Sequence, residues 1–189
     1  MMHRRRHRSL RGFTLVEMMT VVVLVGVLAT LAVYGVRKYI LSAKSGEAVS
    51  MMASIKASEE AFKDETFVYL DVSTNFQTSN WYPMTNPGKV KVQWGGGTQA
   101  LADKWRTLGV HPNAPVQFAY ACVAVAPGAS VPDAPTVVKH NSDFGLPTTA
   151  SEWMYIAAGK ADLGGRDGVS TVVMSHSLSS EIYVENEGE

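Results

Sequence analysis

The sequence predicts an α+β chain in which one long N-terminal helix packs on an antiparallel β-sheet of about four strands. The first half of that helix is membrane-spanning and the second half amphipathic. Three observations predict this arrangement. Residues 18–36 form an unbroken run of nineteen positions without a charge. Beyond it, Ala48, Met52, Ile55, Glu59 and Phe62 recur at spacings of three and four, the period of one helical face. Further on, apolar runs are separated by stretches rich in Gly, Pro, Asn and Ser, which is how strands joined by turns are punctuated.

Taken in order, residues 1–12 are a basic leader. Arg4, Arg5, Arg6, Arg8 and Arg11 lie there with His3 and His7, and no acidic residue accompanies them. The whole chain has 17 basic and 17 acidic side chains, so its formal charge is zero. Without the leader 12 basic side chains remain against 17 acidic ones, a formal charge of −5. The remaining Lys and Arg are scattered and form no stripe, which sets nucleic-acid binding aside.

Residues 13–40 are the hydrophobic segment. The 24 residues from Phe13 to Val36 would extend roughly 36 Å as a helix, enough to cross a hydrocarbon core of about 30 Å. Arginines precede the run, and Arg37, Lys38 and Lys44 follow it. The excess on the N-terminal side places the N-terminus in the cytoplasm. The run is too long for a secretory signal core and lacks a small-residue cleavage site after it. Glu17 interrupts the apolar character near its start. A carboxylate there costs roughly 2.5–3.5 kcal/mol on insertion scales and marks a functional group with a partner. A plain single-pass anchor has no reason to carry it.

The string RGFTLVEMMTVVVLVGVLATLA, residues 11–32, resembles the type IV prepilin and pseudopilin signature: a short basic leader, Gly, then Phe-Thr-Leu-Val-Glu and a long apolar helix. The resemblance implies a pilin-like fold and processing by a prepilin peptidase after Gly12. It implies N-methylation of the new N-terminal Phe13, and an assembly role for Glu17, whose carboxylate neutralises the Phe13 amine of a neighbouring subunit. Pairing makes each charge tolerable where alone it opposes insertion. The partners implied are other copies of the chain or related pilins, the peptidase and an inner-membrane assembly machinery. The implied location is a single-pass inner-membrane precursor that becomes an extracellular or periplasmic filament. No cofactor or enzymatic activity is implied. Major pilin, minor pilin and secretion pseudopilin all remain open, and a membrane-anchored binding domain is the alternative from another class. Pilins of this kind often close a C-terminal loop with a disulfide, whereas Cys122 is the single cysteine here.

Residues 41–189 form the head, which includes the C-terminal half of the helix. Gly35 and Gly46 lie within the helix, each costing about 1 kcal/mol relative to Ala, so either a local break or simple tolerance fits. Residues 72–88 read as a surface loop, and residues 89–94 alternate like a strand that ends in a turn at Gly95, Gly96 and Gly97. The sheet is expected from residues 116–125, 153–158, 169–175 and 181–185, with one face exposed. Val116, Phe118, Tyr120 and Cys122 form the core face of its first strand, which makes Cys122 a buried apolar residue rather than a reactive thiol.

Little else carries chemistry. His111, His140 and His176 lack the spacing of a helical zinc site and read as surface or loop residues. Ser175 beside His176 is sequence adjacency without the geometry of a nucleophile and base. Asp162 and Asp167, flanking glycines in KADLGGRDG, resemble the calcium loop of some pseudopilins. Two carboxylates make a poor cage for an ion that takes six to eight oxygens, so a hairpin turn is the favoured reading. The aromatic residues Phe13, Tyr34, Tyr39, Phe62, Phe67 and Tyr69 are irregularly spaced and suit packing rather than conduction.

Overall fold

The computed structural model describes residues 12–84, 87–88, 90–133, 144–163 and 170–186. Its elements are α1 (Leu15–Thr66), α2 (Gln99–Thr107), β1 (Ala119–Val125), β2 (Met154–Ala161), β3 (Thr171–His176) and β4 (Tyr183–Glu185), with a short 3-10 turn at Thr78–Asn80. The chain divides into two compact units, Met1–Arg37 and Lys38–Glu189.

In the first unit the described residues are helical from Leu15 and lie exposed along their length. The helix has the length and composition to cross a membrane, with a mean hydropathy of 2.4 in its most apolar stretch. Thr20 and Thr30 donate their hydroxyls to the carbonyls of Glu17 and Val27, at 2.9 and 2.7 Å. Such back-bonding satisfies hydroxyls that hydrocarbon would leave without a partner. The assigned helix runs through Gly35 and Gly46 without interruption.

In the second unit the sheet is antiparallel with strand order β1-β2-β3-β4. Beyond a buried Ser45, Ala48, Met51, Met52, Ile55 and Glu59 are the buried face of α1, the expected stripe with Met51 added, and Phe62 packs at its edge. They meet Phe118, Tyr120 and Cys122 leading into and along β1, Tyr155 and Ala157 on β2, and Val173 on β3. Alternation sends the intervening residues to the other side. Opposite pairing sets Tyr120 beside Gly159, where an added Cβ would lie 3.0 Å from the Tyr120 ring. The bare glycine lets that ring lie across β2.

Three expectations need correction. The sheet does not expose one face: Ala119, Ala121, Met154, Ile156, Ala158 and Met174 are buried beneath Trp81, Phe144, Leu146 and Ala150, so irregular chain covers the side away from α1. Residues 72–88 are not merely a surface loop, since Val72, Ser73, Trp81 and Tyr82 are buried. Ser73 donates its N–H to Cys122 O, and Tyr82 and Tyr120 exchange backbone hydrogen bonds of 2.9 and 2.7 Å. The segment thus closes the free edge of β1, a site that would otherwise template pairing with another chain. The described residues of this stretch, 90–94, form no strand. Among them Val92 alone pairs, with Val116, because the β1 edge is already taken at Tyr82 and the chain turns away at Gly95, φ +115°. Helix α2 was not anticipated; Leu101 and Trp105, four residues apart, anchor it to the core.

Candidate functional site at the helix start

The predicted processing and assembly residues lie at the beginning of α1. Gly12 is the first described residue, Phe13 is 78% exposed, and Thr14 immediately precedes the helix. Thr14 and Glu17 form a capping box. The Thr14 backbone N–H and hydroxyl donate to Glu17 Oε2 at 2.8 and 2.7 Å, and the Glu17 N–H donates back to Thr14 Oγ1 at 3.3 Å. Two orphan donors of the first turn are thereby satisfied, and a carboxylate sits where the helix dipole favours negative charge. The Thr-x-x-Glu spacing is readable in the sequence, but the long apolar run drew attention to the charge of Glu17 and away from its cap.

The remaining sequence candidates separate. Asp162 is exposed, whereas Asp167 falls outside the described residues. Among the described residues no three His, Cys, Asp or Glu side chains come together as a metal site. His111 is exposed and His140 lies outside the described residues. His176 is neither surface nor loop: it is buried at the end of β3, its ring stacked on Tyr183 at 5.8 Å. Strand alternation turns Ser175 and His176 to opposite faces of the sheet, so adjacency gives them no catalytic geometry.

Cys122 is buried, as expected. Its partner was missed. Glu59, fully buried on the core stripe of α1, accepts a hydrogen bond from the Leu70 N–H (3.0 Å) through Oε2 and one from the Cys122 thiol (3.2 Å) through Oε1. Burial pushes the Glu59 carboxyl up to about 7, assisted by the charges of Glu60 and Asp71 and opposed by these two hydrogen bonds. Burial, together with the Glu59 carboxylate, pushes the Cys122 thiol well above its ordinary range, which makes it a poor nucleophile. The only sequence signal was an acid at a core position of an apolar stripe.

An exposed apolar helix that begins with a capped carboxylate and leads to an α+β head defines a class: chains anchored by, and able to pack through, their N-terminal helix. Comparison with known families places the signature. Residues 7–33 match the family model of the prokaryotic N-terminal methylation motif, the type IV prepilin-type signature. That motif supports a type IV pilin- or pseudopilin-like structural protein with a membrane-anchored precursor. No curated protein and no solved structure matches the chain.

Proposed function

We propose that the protein is a structural subunit of a type IV pilus or a related filament, made as a single-pass precursor in a bacterial inner membrane. Residues 1–12 are the leader, residues 13–40 the anchoring and assembly helix, and residues 41–189 the head. A prepilin peptidase cuts after Gly12, Phe13 becomes the methylated N-terminus, and the helix passes from the bilayer into the core of an extracellular or periplasmic filament of this chain or related pilins. The methylation motif across residues 7–33 carries this reading.

Physical chemistry supports the division of labour. Lipid tails are as apolar as the valines and leucines of α1, so leaving the bilayer for a filament core gains little from hydrophobicity alone. A carboxylate in hydrocarbon, in contrast, costs roughly 2.5–3.5 kcal/mol. Pairing Glu17 with the Phe13 amine of a neighbour recovers part of that cost only at one axial offset. The carboxylate therefore sets register while the apolar surface supplies packing.

N-terminal sequencing and mass spectrometry of protein from membrane and cell-surface fractions test the proposal. The expected product begins at Phe13 with a methylated amine. Recovery of Met1-initiated protein alone would defeat it. Glu17→Ala is expected to leave processing intact and to accumulate in the membrane with little filament incorporation, and normal assembly would remove the register role.

A further inference from the structure

We propose that residues 68–73 are a pH-sensitive latch: with Glu59 protonated the segment lies closed over Cys122 and the edge of β1, and with Glu59 ionised it swings open between Phe67 and Thr74. Strained backbone brackets the segment. Phe67 and Thr74 hold left-handed conformations, φ 64° and 63°, although neither is glycine and Thr is β-branched. Such conformations persist only where surrounding contacts impose them, and both relax when those contacts let go. The contacts that close the segment join it to three elements. Leu70 donates its N–H to Glu59 Oε2 on α1 at 3.0 Å. Ser73 donates its N–H to Cys122 O on β1 at 2.8 Å, and the Cys122 N–H donates back to Ser73 Oγ at 3.2 Å. Lys104 of α2 donates to Asp71 O at 2.8 Å, and Val72 is fully buried.

Most of these contacts set how often the segment opens, and Glu59 makes that frequency depend on pH. The carboxyl is fully buried where α1, the segment and β1 meet, and its two oxygens face the Leu70 N–H and the Cys122 thiol rather than a cation. The charges that act on it are both negative, Glu60 on α1 and Asp71 on the segment. The neighbouring cations are engaged elsewhere: Lys63 donates to the Tyr69 hydroxyl at 3.0 Å, and Lys104 to the Asp71 carbonyl. Tyr69 in turn donates to Glu60 Oε1 and meets Tyr155 of β2 edge-on at 4.9 Å. A neutral carboxyl suits such surroundings, whereas an ionised one without a cation needs water. Lifting Leu70 off the carboxyl admits it. The closed form thus holds a proton that the open form releases, so closure is strongest in acid, weakens as pH rises from 4.5 to about 7, and is level above. Opening frees the Cys122 carbonyl at the β1 edge and uncovers the thiol beside Glu59.

Cys122 is the single cysteine, so its reaction with 4,4′-dithiodipyridine reports the opening directly. The test uses the full chain in micelles, at reagent concentrations where the rate is linear. Rates are divided by those of a peptide of residues 119–125, which removes the thiol's own pH dependence. Opening in the parent should rise about a hundredfold between pH 4.5 and 8, the change expected for a carboxyl that titrates near 7 when closed and near 4.5 when open. In Glu59→Gln it should stay level. The labelling rate should also depend far less on urea than global unfolding does, and the Leu70 and Ser73 amides should exchange hydrogen well ahead of Ala157 and Val173 in the sheet. A level profile in the parent overturns the latch whether or not the variant folds. Equal slopes in parent and variant remove Glu59 from it, and labelling that follows global unfolding in its urea dependence overturns the segment as a separately opening unit. Processing and filament assembly enter none of these readouts.

Discussion

Glu59→Gln should remove a specific pH dependence from the stability of the head. The carboxyl titrates near 7 in the folded protein against an ordinary value of 4.5. Between those values the folded state holds a proton that the unfolded state has released, so stability falls as pH rises through the window and is level on either side. At about 1.4 kcal/mol per pH unit of separation, the fall amounts to about 3 kcal/mol. The substitution keeps length and shape. Its carbonyl oxygen can still accept from the Leu70 N–H, and its amide can face the Cys122 sulfur. The variant should therefore resemble the parent near pH 4.5 and exceed it by about 1–3 kcal/mol at pH 8. His176 acts with the opposite sign: burial, then the charge of Lys56, holds its pKa below the usual 6.5, so its contribution is lost as pH falls. Subtracting the variant curve from the parent curve cancels that contribution. Urea unfolding of the full chain in micelles, followed by the fluorescence of Trp81, Trp94, Trp105 and Trp153, reads the difference because all four lie in the head. Parallel curves across pH 4.5–8, or a variant less stable than the parent at pH 8, would refute the reasoning.

Gly159→Ala should cost about 1–3 kcal/mol, because its Cβ would meet Tyr120 Cε1 at 3.0 Å and Cδ1 at 3.1 Å in a packed core; an unchanged urea midpoint would show that the ring has room. Phe67 ends α1 with φ 64° while its side chain stays 81% exposed. Phe67→Gly should thus raise the midpoint by up to about 1 kcal/mol, relief of left-handed strain partly offset by glycine's extra freedom when unfolded. Millimolar calcium should leave the midpoint unmoved, and a calcium-dependent rise would reinstate Asp162 and Asp167 as ligands. At the helix start, Thr14→Val should weaken the first turn by about 1 kcal/mol while preserving the charge, and Glu17→Gln should preserve an acceptor for the cap while losing the charge. If charge sets register, filament yield should fall much further for Glu17→Gln; equal losses would assign the defect to the cap.

The parts of the fold that were legible in the sequence are those with a sustained period. The stripe from Ala48 to Phe62 repeats through four turns, and Phe118, Tyr120 and Cys122 alternate cleanly, so helix, central strand and buried thiol could all be read. Helix α2 has nine residues and only Leu101 and Trp105 buried, too few repeats to stand out. The covering of the second sheet face has no period at all. It depends on Trp81, Phe144 and Leu146 in irregular chain, brought over the strands by tertiary contacts that no local pattern encodes. The alternation at residues 89–94 is real, but pairing needs a vacant edge, and Tyr82 already bonds to Tyr120. At the site, Gly12, Phe13 and Glu17 could be picked out because charge inside an apolar run is conspicuous. Glu59 could be placed on the stripe but its role could not be read, because its hydrogen bonds depend on the approach of Leu70 and Cys122, which are distant in sequence.

The capping box also bears on how Glu17 can serve the proposed assembly. If its carboxylate had to abandon Thr14 to meet a neighbour's amine, the gain from pairing would be offset by two newly orphaned donors at the helix start. The geometry avoids that conflict. Both Thr14 donors converge on Oε2, and among the described residues Oε1 accepts no hydrogen bond. An ionised carboxylate offers about four acceptor sites over its two oxygens. One oxygen can therefore keep the helix start ordered while the other answers an incoming ammonium. The cap would then fix the rotamer of Glu17 before the neighbour arrives, reducing the side-chain entropy that pairing must otherwise overcome. On the proposed reading, Thr14 contributes to assembly by holding Glu17 in place, and Glu17 contributes through its charge.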